Sequence, residues 1–388
     1  MIRNLKSKLD ALRAGQQTPP PKPKEGETPS VQREAICRFE RFCYPLTCTT
    51  GNCSLKLGQN PDPQLLACLT QTALPADFDG RRLLYLDTET TGLSTGAGTL
   101  AFLVGIGYYD EVSSQYIVEQ YLMEDYDQEP DLLSRLLATL DRFDTLVTYN
   151  GKSFDVPLLE VRYVMNRLHS RLRQMTQLDL LHAARRIYKR RIGSCSLGNM
   201  ERTLLGIERA DDIPGAEIPE CFFAYVKDRD PKRMNLVLKH NRQDILSMPL
   251  LMGTMLQTLQ LRASDYPEDD YSCGRLFLRS RQWDWAEACL LRASGSLPEA
   301  RLELAAYYKR QGRWPEAETI WLAMVEASEG GTLPYHELAK YYEHILHQPA
   351  RAYRLIMRLR DTLGQWGVRD EEIEKRYRRL KKYAQGDA

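Results

Sequence analysis

From Arg82 onward, apolar residues come in short blocks bounded by polar turns. LLYLDTE, TLAFLVGIGYY and QYIVEQYLM each predict a strand. DLLSRLLATLDRF places its apolar residues at steps of three and four, which predicts a helix. TLVTYN is the next strand and FDVPLLEVRYVMNRL the next helix, while QLDLLHAARRIYKRR starts as a strand and turns helical. Three strands, then helix, strand, helix, strand and helix, predict an α/β domain over residues 81–262.

After about residue 262 the strand pattern stops. ELAAYYKRQGRWPEA at 303–317 and ELAKYYEHILHQPAR at 337–351 align at an offset of 34 residues, with Glu303/Glu337, Leu304/Leu338, Ala305/Ala339, Tyr307/Tyr341, Tyr308/Tyr342 and Pro315/Pro349 in register. That period resembles tetratricopeptide repeats, stacked helix pairs that expose a groove. A degenerate copy starts near Arg275, in RLFLRSRQWDWAEACLLRA. Residues 263–388 are therefore expected to be an all-α helical-repeat (TPR-like) domain whose groove suits a protein or peptide partner. At the other end, residues 1–35 read as a short helix and a Pro-rich flexible linker, too polar to offset the entropy of ordering. Residues 36–80 hold a Cys-containing hairpin, FCYPLTC-TTGN-CSLKL, and a helix-like PDPQLLACLTQ, and are expected to dock on the next domain.

Four acidic residues turn the reading from fold to chemistry. Asp87 and Glu89 stand two apart in the first strand, so both carboxylates project from one face. Leu84, Tyr85 and Leu86 predict that this strand is buried and central, where unpaired charges are costly. Asp155 follows the apolar run that ends at Asn150, near a predicted helix start. Asp244 lies in a helical stretch with His240 one turn earlier on the same side. Carboxylates from three segments suit a cage for two divalent cations, and hard oxygen ligands select Mg²⁺ or Mn²⁺. Paired ions clamp the attacking and leaving oxygens of a phosphodiester, so the pattern points to a metal-dependent nuclease.

D-T-E-T-T-G-L, Y-N-G-K-S-F-D and H-N-R-Q-D resemble the three exonuclease motifs of the DEDD group in the ribonuclease H-like superfamily. The best-known subgroups place Tyr four residues before the final Asp, or His five before it. Here His240 is four before Asp244, and Lys239 is five before. That mixed form, with L-S-M following, resembles the YprB-type ribonuclease H-like proteins of bacteria over roughly residues 81–255. The resemblance implies a ribonuclease H-like mixed sheet flanked by helices, and a 3′–5′ exonuclease acting on DNA or RNA through two divalent cations. It implies that Asp87, Glu89, Asp155 and Asp244 hold the metals, with Asp87 between both ions, and that His240 takes the proton from the attacking water. Two other readings stay open: a catalytically silent nucleic-acid-binding scaffold working through its repeats, and a structure-selective endonuclease.

The remaining candidates each have a functional and a structural reading. His240 is a general base or an N–H donor that orients a carboxylate. Asn150 contacts substrate phosphate or sugar, or forms a turn with Gly151. Asn241, beside His240, should point elsewhere on the helix and be structural, and Asp179 should cap a helix. Gly92, Gly96, Gly98, Gly105 and Gly107 form no phosphate-binding fingerprint and should serve turns and close backbone approach. Arg185, Arg186, Lys189, Arg190 and Arg191 form a basic run that suits phosphate-backbone contact, although a helix spreads it over more than one face. Lys375, Arg376, Arg378, Arg379, Lys381 and Lys382 make a second cluster, which could be an ordinary exposed helix end.

Composition adds limits. Lys and Arg number 53 against 52 Asp and Glu, so the net charge of +1 gives no global steering toward nucleic acid. No apolar run is long enough for a transmembrane helix, and MIRNLKSKLDALRAG has charges where a signal peptide needs an apolar core, so a cytoplasmic protein is expected. Of nine cysteines, Cys37, Cys43, Cys48 and Cys53 cluster, with Cys48 and Cys53 expected to face each other across the hairpin. Their spacing lacks a C-x-x-C knuckle, so a structural metal competes with a reading as small half-buried hydrophobic residues.

Overall fold

Residues 36–92, 98–261, 264–365, 368 and 370–384 are described by a computed structural model. The helix and linker expected over 1–35, and Gly96, lie outside these residues. In chain order the first elements are β1 (Arg38–Pro45), a small hairpin of β2 (Thr49–Thr50) and β3 (Cys53–Ser54), and α1 (Pro63–Thr70). Then come β4 (Leu83–Thr90), β5 (Ala101–Asp110), β6 (Gln115–Leu122), α2 (Glu129–Leu140), β7 (Thr145–Thr148), α3 (Asp155–Met165), β8 (Thr176–Asp179) and α4 (Leu180–Ile192). Six strands form one sheet in the order β1-β6-β5-β4-β7-β8. β4, β5, β6 and β1 are antiparallel neighbours, whereas β7 and β8 run parallel to β4. The sequence of strands and helices between 83 and 192 follows the hydrophobic pattern, and the mixed sheet is the one that the resemblance implies.

β1 is an addition to that pattern. It pairs with β6 from Arg38↔Leu122 to Pro45↔Gln115, and extends the sheet rather than serving only as a hairpin arm. Within the hairpin the register also differs from expectation. Thr50 pairs with Cys53 around Gly51, whose φ of +59° suits the turn, so Cys48 does not face Cys53. Among the described residues the four clustered cysteines form no group close enough to share an ion. Cys37 is buried on one side of the sheet, Cys48 and Cys53 pack against the core of the other, and Cys43 is exposed.

The sheet carries an apolar core on each face because β4 alternates: Leu84 and Leu86 join one core, Leu83 and Tyr85 the other. After α5 (Leu197–Met200) and a π turn at Glu201–Leu205 come α6 (Ile218–Asp228) and the 31-residue α7 (Pro231–Leu261). The second half of α7, from Ile245 to Leu259, packs into the Tyr85 core. Two glycines of β5 let it come close. A Cβ on Gly105 would lie 2.1 Å from Asn241 Oδ1, and one on Gly107 would lie 2.5 Å from Ile245 Cγ2. Pro249, inside α7, has no N–H for the carbonyl of Ile245 four residues earlier. Tyr116 replaces that bond, its hydroxyl donating to Ile245 O at 3.0 Å.

The rest of the described chain is helical: α8 (Pro267–Arg279), α9 (Trp283–Ser294), α10 (Pro298–Arg310), α11 (Trp314–Glu326), α12 (Leu333–Lys340), α13 (Pro349–Gln365) and α14 (Glu371–Ala384). Residues 34 apart make matching contacts. Tyr307 stacks on Trp283 and Tyr341 on Trp314, while Tyr308 donates to Glu287 beneath Arg313, as Tyr342 donates to Glu318 beneath Arg351. Cys273, Leu276 and Phe277 of α8 and Ala286 and Cys289 of α9 belong to the same core as Leu69 and Ile187. The helical segment therefore begins packed onto the sheet's helices.

Candidate metal centre

Alternation along β4 sends Asp87 and Glu89 to the Tyr85 side, the side covered by the second half of α7. On α7, His240 and Asp244 are one turn apart and share a face. The fold thus brings Glu89, His240 and Asp244 together, each offering a ligand atom within 4.8 Å of the others. Asp87 lies beside them. Burial, then the charges of Asp244, Glu89 and Asp155, push its carboxyl well above the ordinary range, against one hydrogen bond from Asn241. Glu89 moves the same way, through burial and then Asp244 and Asp155, with Arg209 opposing.

Asp155 arrives from the first residue of α3. β7 pairs with β4 only as far as Tyr85↔Val147. Beyond that point the N–H of Thr88 donates to Asp155 Oδ1 at 3.0 Å, and the Thr88 hydroxyl donates to the same oxygen. Burial pushes this carboxyl up to about 6 despite those bonds. Carboxylates that resist ionising together, with few positive partners, are stabilised by a cation. Their oxygens, joined by one imidazole, fit a hard divalent ion. Asp87 and Asp155 fall outside the three-residue group, yet both interact with its charges.

Several residues that shape this centre carried no functional reading in the sequence. Asn241 is fully buried and donates from Nδ2 to Asp87 Oδ2 at 2.9 Å, while Gln120 Nε2 donates to its Oδ1 at 2.9 Å. Its place three residues before Asp244, on a neighbouring turn of one helix, was the available signal. Asp212 accepts from His240 Nδ1 at 2.7 Å. Arg209 Nη1 also lies 3.3 Å from that nitrogen, but the shorter contact to a carboxylate places the proton on Nδ1 and leaves Nε2 as the acceptor. Nε2 is 3.7 Å from Asp244 Oδ2. Burial raises the Asp212 carboxyl, but the hydrogen bond from His240 and the charge of Arg209 hold it below its ordinary value. Arg209 also donates to Asp244 Oδ1 and to the buried Glu201.

The outlying candidates separate. Asn150 has φ +70° and its carbonyl accepts from Ser153 N, so it forms a turn; its N–H goes to Asp179 Oδ1 at 3.0 Å. Asp179 caps α4 through Leu181 N at 3.0 Å and also receives Lys152 N, which fixes the loop leading to Asp155. Arg186 donates to Leu69 O and Thr70 O, Arg190 pairs with Glu299, and Arg191 pairs with Asp269, so these three tie α4 to α1 and the helical segment. Arg185 and Lys189 are exposed on α4. In the C-terminal cluster Arg379 pairs with Glu343 and Arg376 reaches His336 O, which anchors α14.

A family model described as RNase_H superfamily matches residues 84–256. A Bacillus subtilis (strain 168) protein named "Uncharacterized protein YprB" is 32% identical over 333 residues, which cover 82% of this chain and 79% of that one. The chain belongs to the YprB-type family of ribonuclease H-like proteins. Among solved structures, the family B DNA polymerase of the hyperthermophilic archaeon Pyrobaculum calidifontis aligns over 54% of this chain and 28% of the polymerase, at 16% identity and a TM-score of 0.38. An overlap that loose carries no argument about activity. Family membership and the acidic cluster together support a nuclease, and hence a nucleic-acid substrate. No helix among the described residues is long and apolar enough to cross a membrane.

Proposed function

We propose that this protein is a metal-dependent 3′–5′ exonuclease of the DEDD type, acting on DNA or RNA in the cytoplasm. The observation that carries the reading is the meeting of Glu89, His240 and Asp244 within 4.8 Å, beside Asp87 and Asp155 whose carboxyls burial and mutual repulsion hold up. Glu89 and Asp244 would hold one ion, Asp155 a second, and Asp87 both. Bound Mg²⁺ or Mn²⁺ would supply Lewis acidity toward phosphate oxygens and water. Asp212 holds His240 so that Nε2 faces the Asp244 side, where it can take a proton from water. Asn241 and Thr88 hold the carboxylates of Asp87 and Asp155 in place.

The same geometry favours a second reading of one residue, His240 as a third ligand rather than a base. In either case Arg185, Lys189 and the side chain of Asn150 are the groups offered to the phosphate backbone. The helical segment, read as TPR-like, would present a partner or deliver substrate. Oligonucleotides of DNA and RNA labelled at the 5′ or the 3′ end test the polarity. With Mn²⁺, a 3′ label should leave first as a mononucleotide. Equal cleavage of a substrate blocked at its 3′ end would point instead to an endonuclease.

A further inference from the structure

The loop between the π turn and α6 carries two charged side chains to the third motif, and one of them is held along its Nε–Nη2 edge. Arg209 Nε donates to Glu201 Oε2 at 2.6 Å, and Nη2 donates to Glu201 Oε1 at 2.7 Å and to Asp244 Oδ1. Nη1 lies 3.3 Å from His240 Nδ1 and 3.5 Å from Asp212 Oδ2. The Nε–Nη2 edge of the guanidinium is thus given to protein carboxylates. Its anchor is firm: Glu201 is fully buried and also accepts from Ser247 Oγ, which is itself held by Gln243 Nε2 at 3.0 Å.

The loop is braced from two sides. Leu205 O accepts from Asn52 N of the β2–β3 turn at 2.7 Å, and a Cβ on Gly51 would lie 2.1 Å from that same oxygen. Lys239 Nζ donates to Ala210 O at 2.8 Å. The N-terminal hairpin thus supports the segment that delivers Arg209.

Resting on the metal-centre reading, we propose that Arg209 is a positioning residue for the metal ligand Asp244. With its fork anchored on Glu201, Arg209 donates from Nη2 to Oδ1, which fixes the rotation of the carboxylate and leaves Oδ2 on the side of His240 Nε2. Arg209 is thus needed for cation binding although it carries a positive charge beside the cation site. That distinguishes it from a simple counter-charge, which would weaken cation binding by repulsion.

The two roles predict opposite results for Mn²⁺ affinity, measured by calorimetric titration of the full chain without substrate. For a positioning residue, Arg209→Met weakens Mn²⁺ binding about 10-fold, the low end for residues that orient metal ligands. Arg209→Lys, which keeps the charge but loses the fork, also weakens it. For a counter-charge, Arg209→Met tightens binding and Arg209→Lys leaves it unchanged, and either result overturns the proposal. If Arg209→Met does not fold, Arg209→Lys alone decides. A wild-type chain that binds no Mn²⁺ overturns the metal-centre reading itself, whereas normal wild-type binding with unaffected variants overturns only the role of Arg209.

Discussion

Replacing Asp155 by Asn isolates the electrostatic strain of the centre when metal is withheld. Burial pushes this carboxyl from its ordinary 3.8 up to about 6. A carboxyl whose folded pKa exceeds its unfolded value supports the fold while protonated, so its contribution is intact below about pH 4 and lost as pH rises through about 6. The displacement corresponds to on the order of 3 kcal/mol of destabilisation at neutral pH. Asn keeps an oxygen to accept from the Thr88 N–H and hydroxyl, and the displacement already includes the stronger bonds that the charged oxygen makes there. In EDTA at pH 7.5, Asp155→Asn should therefore be roughly 3 kcal/mol more stable than wild type by urea unfolding, with the gain vanishing toward pH 4. Saturating Mn²⁺ should reverse the order, because a ligand bound to the folded state stabilises the intact site more. A variant less stable than wild type in EDTA at pH 7.5, or one stabilised equally by Mn²⁺, would refute this reasoning.

Three further perturbations probe other parts of the centre. His240→Ala should slow turnover about 10²–10⁴-fold with Mn²⁺ affinity nearly intact if His240 is the base, and calorimetry showing lost Mn²⁺ binding would make it a ligand. Asn241→Leu should cost roughly 1–3 kcal/mol in urea unfolding, because Gln120 Nε2 loses an acceptor and Asp87 Oδ2 a donor; an unchanged midpoint would show that neither bond matters. A chain ending at residue 262 should be poorly soluble, because it bares the core shared with Cys273, Leu276 and Phe277. One ending at 296 should stay folded by circular dichroism and still cleave a short oligonucleotide.

The parts of the molecule legible in the sequence are those written in periodic patterns. Strand alternation revealed β4 to β6 and the shared face of Asp87 and Glu89, and helical spacing paired His240 with Asp244. Arg209 and Asp212 carry no such signal. They sit in the irregular stretch R-A-D-D between Leu205 and Ile218, and reach α7 only because the loop folds back under the grip of Glu201 and Lys239. Adjacency to His240 turns Asn241 to another side of α7, but its alignment toward β5 and Asp87 needs the fold. Gly105 is legible as a place for a turn or close backbone approach; that it admits Asn241 beside Asp87 needs the crossing of α7 over β5. The basic run on α4 looked like one ridge, yet acidic partners on α8 and α10 take two of its arginines and backbone carbonyls of α1 a third.

The central claim, phosphodiester cleavage at this carboxylate centre, is tested most directly by end-labelled single- and double-stranded DNA and RNA incubated with wild-type protein or Asp87→Asn, in Mn²⁺ or in EDTA. The substitution keeps an acceptor oxygen for Asn241 Nδ2 and removes the charge that would serve both ions. The account predicts cleavage by wild type in Mn²⁺ alone, none by a folded Asp87→Asn, and none by either in EDTA. Cleavage near the wild-type level by Asp87→Asn, or cleavage that persists in EDTA, would contradict it.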